Sequence, residues 1–359
     1  LVVTRRALLR GGWGGVVLAA GALAGCTVAP PGVAETPVAL LAPTATPAPP
    51  TPTPVPPTPT PVPPTAIPAS VPTVSPTAAP RVVPTATPAR PVVAPPPAIS
   101  APSAIVWDAT RGKELFAKAP DARVIPASAT KILTALLVLE RVPLDRAVTI
   151  VPDDLAIPAD ESRMGYPPGA VLEPGDILTI EALLYGMLLM SGGDATRAAA
   201  RAVGTVLLGG QPGDPLARFV AEMNARAAAL GLTNTRFTNP DGYEQEGHYS
   251  SARDLLILTE RALAQPTFAT MVGTKTIARR TVDGLKTFSM TNTNELLGAR
   301  PGVHGVKTGT AGLYLEWECL VTAQWTPTGR VIAVVLGSGP GQRYTDTVVL
   351  LDWSNTLAP

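Results

Sequence analysis

The chain has 359 residues, 46% of them hydrophobic, and a formal net charge of +1. That balance excludes nucleic-acid binding through a basic field, and two histidines, His248 and His304, give no basis for a histidine metal centre. Two cysteines, Cys26 and Cys319, are too few for a disulfide scaffold.

Arg5, Arg6 and Arg10 precede a short apolar stretch, Val16 to Ala24, too short to span a bilayer stably, so residues 1–26 read as an export signal. Thr4-Arg5-Arg6-Ala7-Leu8-Leu9-Arg10 is similar to a twin-arginine signal, although ordinary signal n-regions are also arginine-rich. Leu23-Ala24-Gly25-Cys26 resembles the lipobox of bacterial lipoproteins, which implies a diacylated Cys26 and a membrane anchor. The competing reading is a plain secretory signal with an incidental cysteine. With Cys26 lipidated, Cys319 has no partner, and its apolar neighbours Leu320 and Val321 predict a buried, inert thiol.

Residues 27–100 are Pro, Thr, Ala and Val in loose TP repeats; residues 30–100 hold 25 of the 42 prolines. Such a segment lacks a periodic apolar face and predicts a disordered, polyproline-rich stalk, roughly 200 Å long when extended at about 3 Å per residue. Residues 101–359 read as one α/β domain. Short strands are predicted over Ala104 to Trp107 and Glu114 to Ala117, around a Thr110-Arg111-Gly112 turn. A helix over Ala129 to Arg141 is apolar nearly all round and therefore buried. Further helices are predicted over Ile180 to Met190, Asp194 to Val203, Pro215 to Leu230 and Ser251 to Ala264, the last stopped by Pro266. Lys275 to Thr281 and Lys286 to Asn292 flank an Asp283-Gly284 hairpin signal. Strands near His304 to Thr308, Glu318 to Ala323 and Arg330 to Leu336 precede a closing helix from Tyr344 to Asn355. Strands at both ends with helices between predict one sheet completed by both ends of the domain, with a helical insertion.

Three elements carry chemistry. Ser128-Ala129-Thr130-Lys131 opens the buried helix, so Lys131 sits one turn from Ser128 on the same face. A serine hydroxyl is a poor nucleophile until a neighbouring base takes its proton, and a lysine does so when burial or a second cation depresses its pKa. Lys307-Thr308-Gly309-Thr310, on a predicted strand, supplies that second cation, with Gly309 letting a substrate backbone lie close. Ser191, in a loop after a hydrophobic helix, can pass a proton between base and leaving group.

S-x-x-K, a serine second motif and K-T-G together mark penicillin-recognising serine enzymes. The surroundings narrow the resemblance. Pro126 to Ala135, Leu184-Tyr185-Gly186-Met187-Leu188-Leu189, Thr238-Asn239-Pro240-Asp241-Gly242, Gly247 to Asp254, and Asn292-Thr293-Asn294 ahead of Pro301 to Gly309 resemble the S11 family of D-Ala-D-Ala carboxypeptidases, over nearly all of residues 101–359. The resemblance implies the serine β-lactamase/DD-peptidase-like fold: an antiparallel sheet flanked by helices plus an all-α subdomain. It implies Ser128 as nucleophile, Lys131 as general base, Ser191 as proton relay, and Lys307, Thr308, Gly309 and Thr310 as the substrate strand. Backbone N–H groups of Ser128 and Thr310 would form the oxyanion hole, and Arg343 would help bind the terminal carboxylate. It further implies peptidoglycan stem peptides as substrate, β-lactams as inhibitors, no cofactor or metal, and a location outside the cytoplasm facing the cell wall. Because the chain ends soon after Trp353, no counterpart of the family's frequent C-terminal β-domain and amphipathic tail helix is expected, and the N-terminal lipid would take over the anchoring role.

The pattern departs at the second motif, Ser191-Gly192-Gly193, where the family usually has Ser-x-Asn. Loss of that amide is worth about 1 to 3 kcal/mol. The stretch Thr310 to Cys319 is about two residues longer than usual, and His304 stands where aspartate is common; His304 and His248 read as structural. Against the active carboxypeptidase stand a catalytically weakened wall-peptide binding module, a DD-endopeptidase using the same residues, and a β-lactamase. The β-lactamase needs an E-x-x-L-N run after the second motif, and none occurs between Ser191 and Lys307.

Overall fold

A computed structural model describes residues 95–165, 170–312 and 317–357. The export signal with Cys26, and the Pro/Thr-rich segment up to residue 94, lie outside the described residues, as does part of the longer stretch after Thr310.

In chain order, strands β1 (Ser103–Asp108) and β2 (Lys113–Lys118) are followed by a 3-10 turn (Ala127–Thr130) that runs into α1 (Lys131–Arg141). Next come β3 (Ala147–Thr149), α2 (Pro152–Leu155), β4 (Ile177–Thr179), α3 (Ile180–Leu189), α4 (Gly193–Leu208), α5 (Pro215–Ala229), α6 (Ala252–Leu263) and α7 (Pro266–Val272). The chain then forms β5 (Thr276–Arg280), β6 (Thr287–Thr291), β7 (Val303–Ala311), β8 (Trp317–Thr326), β9 (Gly329–Ser338) and α8 (Arg343–Thr356).

The main sheet has the order β2-β1-β9-β8-β7, antiparallel throughout, so the last strand of the domain pairs with the first, Ile105 opposite Val334. The expected sheet closed by both ends of the domain is present. Period-two alternation divides its faces. Ala104, Val106, Val331, Ala333 and Val335 pack under Leu350 and Leu351 of α8, while Ile105, Ile332, Val334, Leu336, Cys319 and Val321 join the large core with α1, α3 and α6.

Helices α1 and α3 are buried along most of their length, as their all-round apolar sequences require. Local chemistry fixes several starts: Thr179 accepts from Ala182 N at 3.2 Å, Asp214 from Leu216 N at 2.9 Å, and Ser251 from Asp254 N at 3.1 Å. Three details differ from expectation. Pro266 both ends α6 and begins α7 at its first turn, where a missing N–H costs nothing. Helix α4 continues past Val203 to Leu208, where Gly209 in the left-handed region ends it. The helical part also carries the strand pair β3–β4, so it is not purely α; three-residue strands leave no period to read.

Asp346, in the first turn of α8, closes the sheet against the incoming chain. Its carboxylate accepts from Ser100 N (2.9 Å), Ser100 Oγ (2.7 Å), Ala101 N (2.9 Å) and Ser338 Oγ (2.8 Å). Burial pushes its carboxyl up, and these donors more than offset that, leaving it below the usual carboxylate range. Asp346→Ala should therefore cost about 3 kcal/mol of folding stability, measured by urea unfolding, because buried donors are left without their charged acceptor.

Candidate active site

The turn that carries Ser128 is strained. Ala127 has φ +46°, unusual for a residue with a Cβ, and the 3-10 turn ends where α1 begins at Lys131, two residues later than the sequence pattern suggests. The turn leaves Ser128 half-buried at the cleft and puts Lys131 at 0% exposure. Lys131 Nζ donates to Ser128 Oγ at 2.9 Å, to Glu161 Oε1 at 3.2 Å and to the Asp241 carbonyl at 2.6 Å. An ammonium there would have one N–H for each of these oxygens, and a neutral amine would donate to two of them and accept from the Ser128 hydroxyl.

The Thr238–Gly242 loop holds the turn from below. Thr134 Oγ1 donates to the Pro240 carbonyl at 2.6 Å, and the Gly242 N–H to Asn239 Oδ1 at 2.7 Å. A Cβ on Gly242 would lie 1.9 Å from the Ala127 carbonyl oxygen, and its φ of +85° also favours glycine. His248, 3% exposed, bridges this loop to the 3-10 turn: its Nδ1 accepts from Thr238 N at 3.1 Å and its Nε2 lies 2.9 Å from Thr130 Oγ1.

Strand β7 forms the opposite wall with Lys307, Thr308, Gly309 and Thr310. Gly309 has a packing reason beside the one its motif suggested. A Cβ there would meet Ala127 Cβ at 3.1 Å, the Pro126 carbonyl oxygen at 3.1 Å and Ser128 N at 3.2 Å, so the missing side chain lets the strand lie against the serine turn. Lys307 is fully enclosed; its Nζ donates to the Thr308 carbonyl at 3.1 Å. Burial first, and the Lys131 charge second, hold its ammonium well below the usual lysine range. Thr308 Oγ1 pairs with Thr293 Oγ1 at 2.6 Å, and Asn294 Nδ2 donates to the Gly305 carbonyl at 2.7 Å, fastening β7 to the Asn292-Thr293-Asn294 segment.

Arg343 begins α8 beside this strand. It donates from Nε to the Glu318 carboxylate (3.0 Å), from Nη1 to the Gly309 carbonyl (2.9 Å) and from Nη2 to Thr310 Oγ1 (2.9 Å), and Nη2 also lies 2.8 Å from the second Glu318 oxygen as an ion pair. Three of its five N–H donors are thus hydrogen-bonded among the described residues. Burial raises the Glu318 carboxyl, and the Arg343 bonds outweigh that and hold it low.

Ser191 follows α3 at φ +61° and is 7% exposed. With Ser128, Thr308, Gly309, Thr310 and Arg343 it lines one cleft of about 990 Å³. Lys131 and Lys307 lie beneath the lining. Sequence reasoning missed Glu161, Asp241 and Glu318. The only signal for Asp241 was its loop's family likeness, and Glu161 and Glu318 had none, because each meets its lysine or arginine partner through tertiary contact. Burial pushes the Glu161 carboxyl above the usual range, against the pull of the Lys131 charge. Cys319 is buried, with burial pushing its thiol up to about 11, as an inert thiol should be. His304 Nε2 donates to the Ala269 carbonyl at 2.8 Å, a structural role.

The family model for Peptidase S11, D-alanyl-D-alanine carboxypeptidase, matches residues 90–339. The chain is 36% identical over 259 residues to the D-alanyl-D-alanine carboxypeptidase DacF of Bacillus subtilis, covering 72% of this chain and 62% of that protein. It is 37% identical over 248 residues to the D-alanyl-D-alanine carboxypeptidase of Streptomyces sp. strain K15, covering 67% of this chain and 82% of that protein. The crystal structure of the Streptomyces K15 DD-transpeptidase superposes with a TM-score of 0.65 at 34% identity, over 73% of this chain and 99% of that one.

Burial, and then the Lys131 charge, push the His248 imidazole down to about 4 from an ordinary 6.5. Between those values the unfolded chain binds a proton that the folded chain refuses, so stability rises with pH through this window. The contribution is complete above pH 6.5 and is lost as pH falls toward about 4. Thermal melts from pH 7 to 4 should therefore show a steeper decline for the wild type than for His248→Gln, whose amide does not titrate.

Proposed function

The chain belongs to the peptidase S11 family of serine-type D-alanyl-D-alanine carboxypeptidases, and on that premise we propose that it removes the terminal D-Ala of peptidoglycan stem peptides through an acyl-enzyme on Ser128. The observation that carries the reading is the 2.9 Å contact between Ser128 Oγ and a buried Lys131, in a cleft whose far wall is Lys307-Thr308-Gly309-Thr310.

In this reading the peptide lies along β7 with its terminal carboxylate toward Arg343 and Lys307. Arg343 Nη1 makes one hydrogen bond, to the Gly309 carbonyl, and its second hydrogen is enough for one charge-assisted contact to that carboxylate. Ser128 Oγ attacks the scissile carbonyl as a neutral Lys131 takes its proton. The oxygen of the tetrahedral intermediate accepts from the backbone N–H groups of Ser128 and Thr310, one on the turn and one on the strand that Gly309 allows to lie against it. Ser191 returns a proton to the departing D-Ala nitrogen, and water then releases the shortened peptide. β-Lactams acylate the same serine. Cys26 and the Pro/Thr-rich segment, as a lipid anchor and stalk, would hold the domain outside the cytoplasm and facing the wall; their support is the lipobox-like Leu23-Ala24-Gly25-Cys26 and the stalk composition.

A fluorescent penicillin should label the wild type and leave Ser128→Ala unlabelled, and the wild type should release D-Ala from a D-Ala-D-Ala pentapeptide. Labelling without release would favour a wall-peptide binding module, and no labelling of folded protein would end the acyl-enzyme reading. Arg343→Ala should raise KM for the free-carboxylate peptide roughly 10- to 100-fold, from loss of a charged hydrogen bond, and should change little with a C-terminally amidated substrate.

A further inference from the structure

In its charged form Lys131 cannot accept a proton. As an ammonium it would give all three hydrogens to the oxygens around it, on Ser128, Glu161 and Asp241, and would have no lone pair for the serine. Two of those acceptors have no use for a proton: Ser128 Oγ must give one up, and the Asp241 carbonyl is an amide oxygen. Glu161 alone is a base.

Its position is tied to the second motif. Gly193 has no side chain, and a Cβ built there would lie 2.6 Å from Glu161 Cγ and 2.9 Å from Glu161 Oε1. The carboxylate arm therefore fills the volume that a residue at 193 would need. Two bonds hold the Glu161 segment against the start of α4: Gly193 N donates to the Ser162 carbonyl at 2.7 Å, and Met164 N to Asp194 Oδ1 at 2.9 Å. Asp194 also accepts from Ala195 N at 2.8 Å, so one buried carboxylate joins helix and segment. Glu161 side-chain exposure is 9%, and the residue lines the cleft beside Ser128 and Ser191.

We propose that Glu161 stands in for the side chain missing at Gly193, and that it takes from Lys131 the proton which the lysine must lose before it can receive one from Ser128. The proposal rests on the reading of Ser128 as nucleophile. The proton moves from Lys131 Nζ to Glu161 Oε1, which leaves a neutral amine and a neutral carboxylic acid. The freed lone pair then takes the Ser128 Oγ proton as the bond from Oγ to the carbonyl carbon forms, and no other reactant is required. Burial favours the exchange, because it replaces two enclosed charges with two neutral groups. The charged and titratable groups around the pair are Lys307 from β7, Asp241, Tyr243, Glu244 and His248 from the loop before α6, Asp194 from α4, and Asp160 on the Glu161 segment. Glu161 acts through Lys131 and is in that sense a positioning residue.

The test uses the full chain and the second-order rate of acylation by a fluorescent penicillin across pH. Glu161→Gln keeps the shape and removes the base; acylation near pH 7 should fall roughly 100-fold, the scale of a lost proton-transfer group. Its acid limb should move to higher pH, since Lys131 must then lose its proton to solvent. A uniform drop with an unchanged pH profile, or no drop, would overturn the proposal and leave Glu161 a packing residue. The paired variants guard against misfolding. Gly193→Asn alone should lose activity from its collision with Glu161, Glu161→Ala alone should lose it from want of the carboxylate, and the double variant should recover relative to either. Losses that multiply would count against the shared space. An unlabelled wild type would bring down the nucleophile assignment and this inference together, whereas a labelled wild type with an indifferent Glu161→Gln brings down the inference alone.

Discussion

A lysine amino group with no exposed surface, costly to bury when charged, is the constraint around which the rest of the site is arranged. Taking such a charge out of water costs several kcal/mol even after relaxation, and only acceptors at good distance offset it. Lys131 finds them on three separate pieces of chain: the serine turn one helical turn away, the Glu161 segment after α2, and the Asp241 loop before α6. Each piece needs its own support. Asp194 secures the Glu161 segment, Thr134 and Asn239 secure the Asp241 loop, and β7 lies against the serine turn. The charge is local, but the scaffold that makes it tolerable spans both the sheet and the helical part.

Close backbone approach is the second organising feature, and it explains glycines that a motif alone leaves ambiguous. Gly309 sits in K-T-G, and space for a substrate was the natural reading of it. Its missing Cβ also makes room for Pro126, Ala127 and Ser128, so strand and nucleophile turn are in van der Waals contact. Gly242 does the same from the other side against the Ala127 carbonyl. The strained φ of Ala127 is thus held between two backbone segments, which is how a conformation that costs about 1 kcal/mol or more persists.

Much of this was legible in the sequence because the signals are periodic or local. Helices α1 and α3, the hairpin strands β5 and β6, and the sheet shared by both ends of the domain follow from apolar spacing and turn residues. Ser128, Lys131, Ser191, Lys307 and Arg343 were legible through motifs whose spacing is short or whose context is distinctive. The region between Val142 and Thr179 was not: its strands are three residues long, α2 has four, and its position is fixed by contacts to α4 and to Val282 and Lys286 in the turn between β5 and β6 rather than by its own pattern. Glu161 lies in that region. A lone glutamate in a proline- and glycine-rich loop reads as solvated surface, and only the fold reveals that it faces Lys131 and occupies the volume next to Gly193.

Lys131, Lys307 and Glu161 make sense only as a set. Lys131 has three acceptors, and Lys307 has one among the described residues, the Thr308 carbonyl. Two enclosed ammonium groups in mutual repulsion cannot be supported by Glu161 alone, and Lys307, with the fewer acceptors, is the group held low. A substrate that brings its own carboxylate toward β7 changes that balance. It stabilises charge on Lys307, and a charged Lys307 makes a second charge on Lys131 more costly. The proton of Lys131 then has somewhere to go in Glu161 and a reason to leave, so the base would be released by the same carboxylate that marks the end of the peptide. A binding preference for free C-termini and the arming of Ser128 would in that case be one electrostatic event.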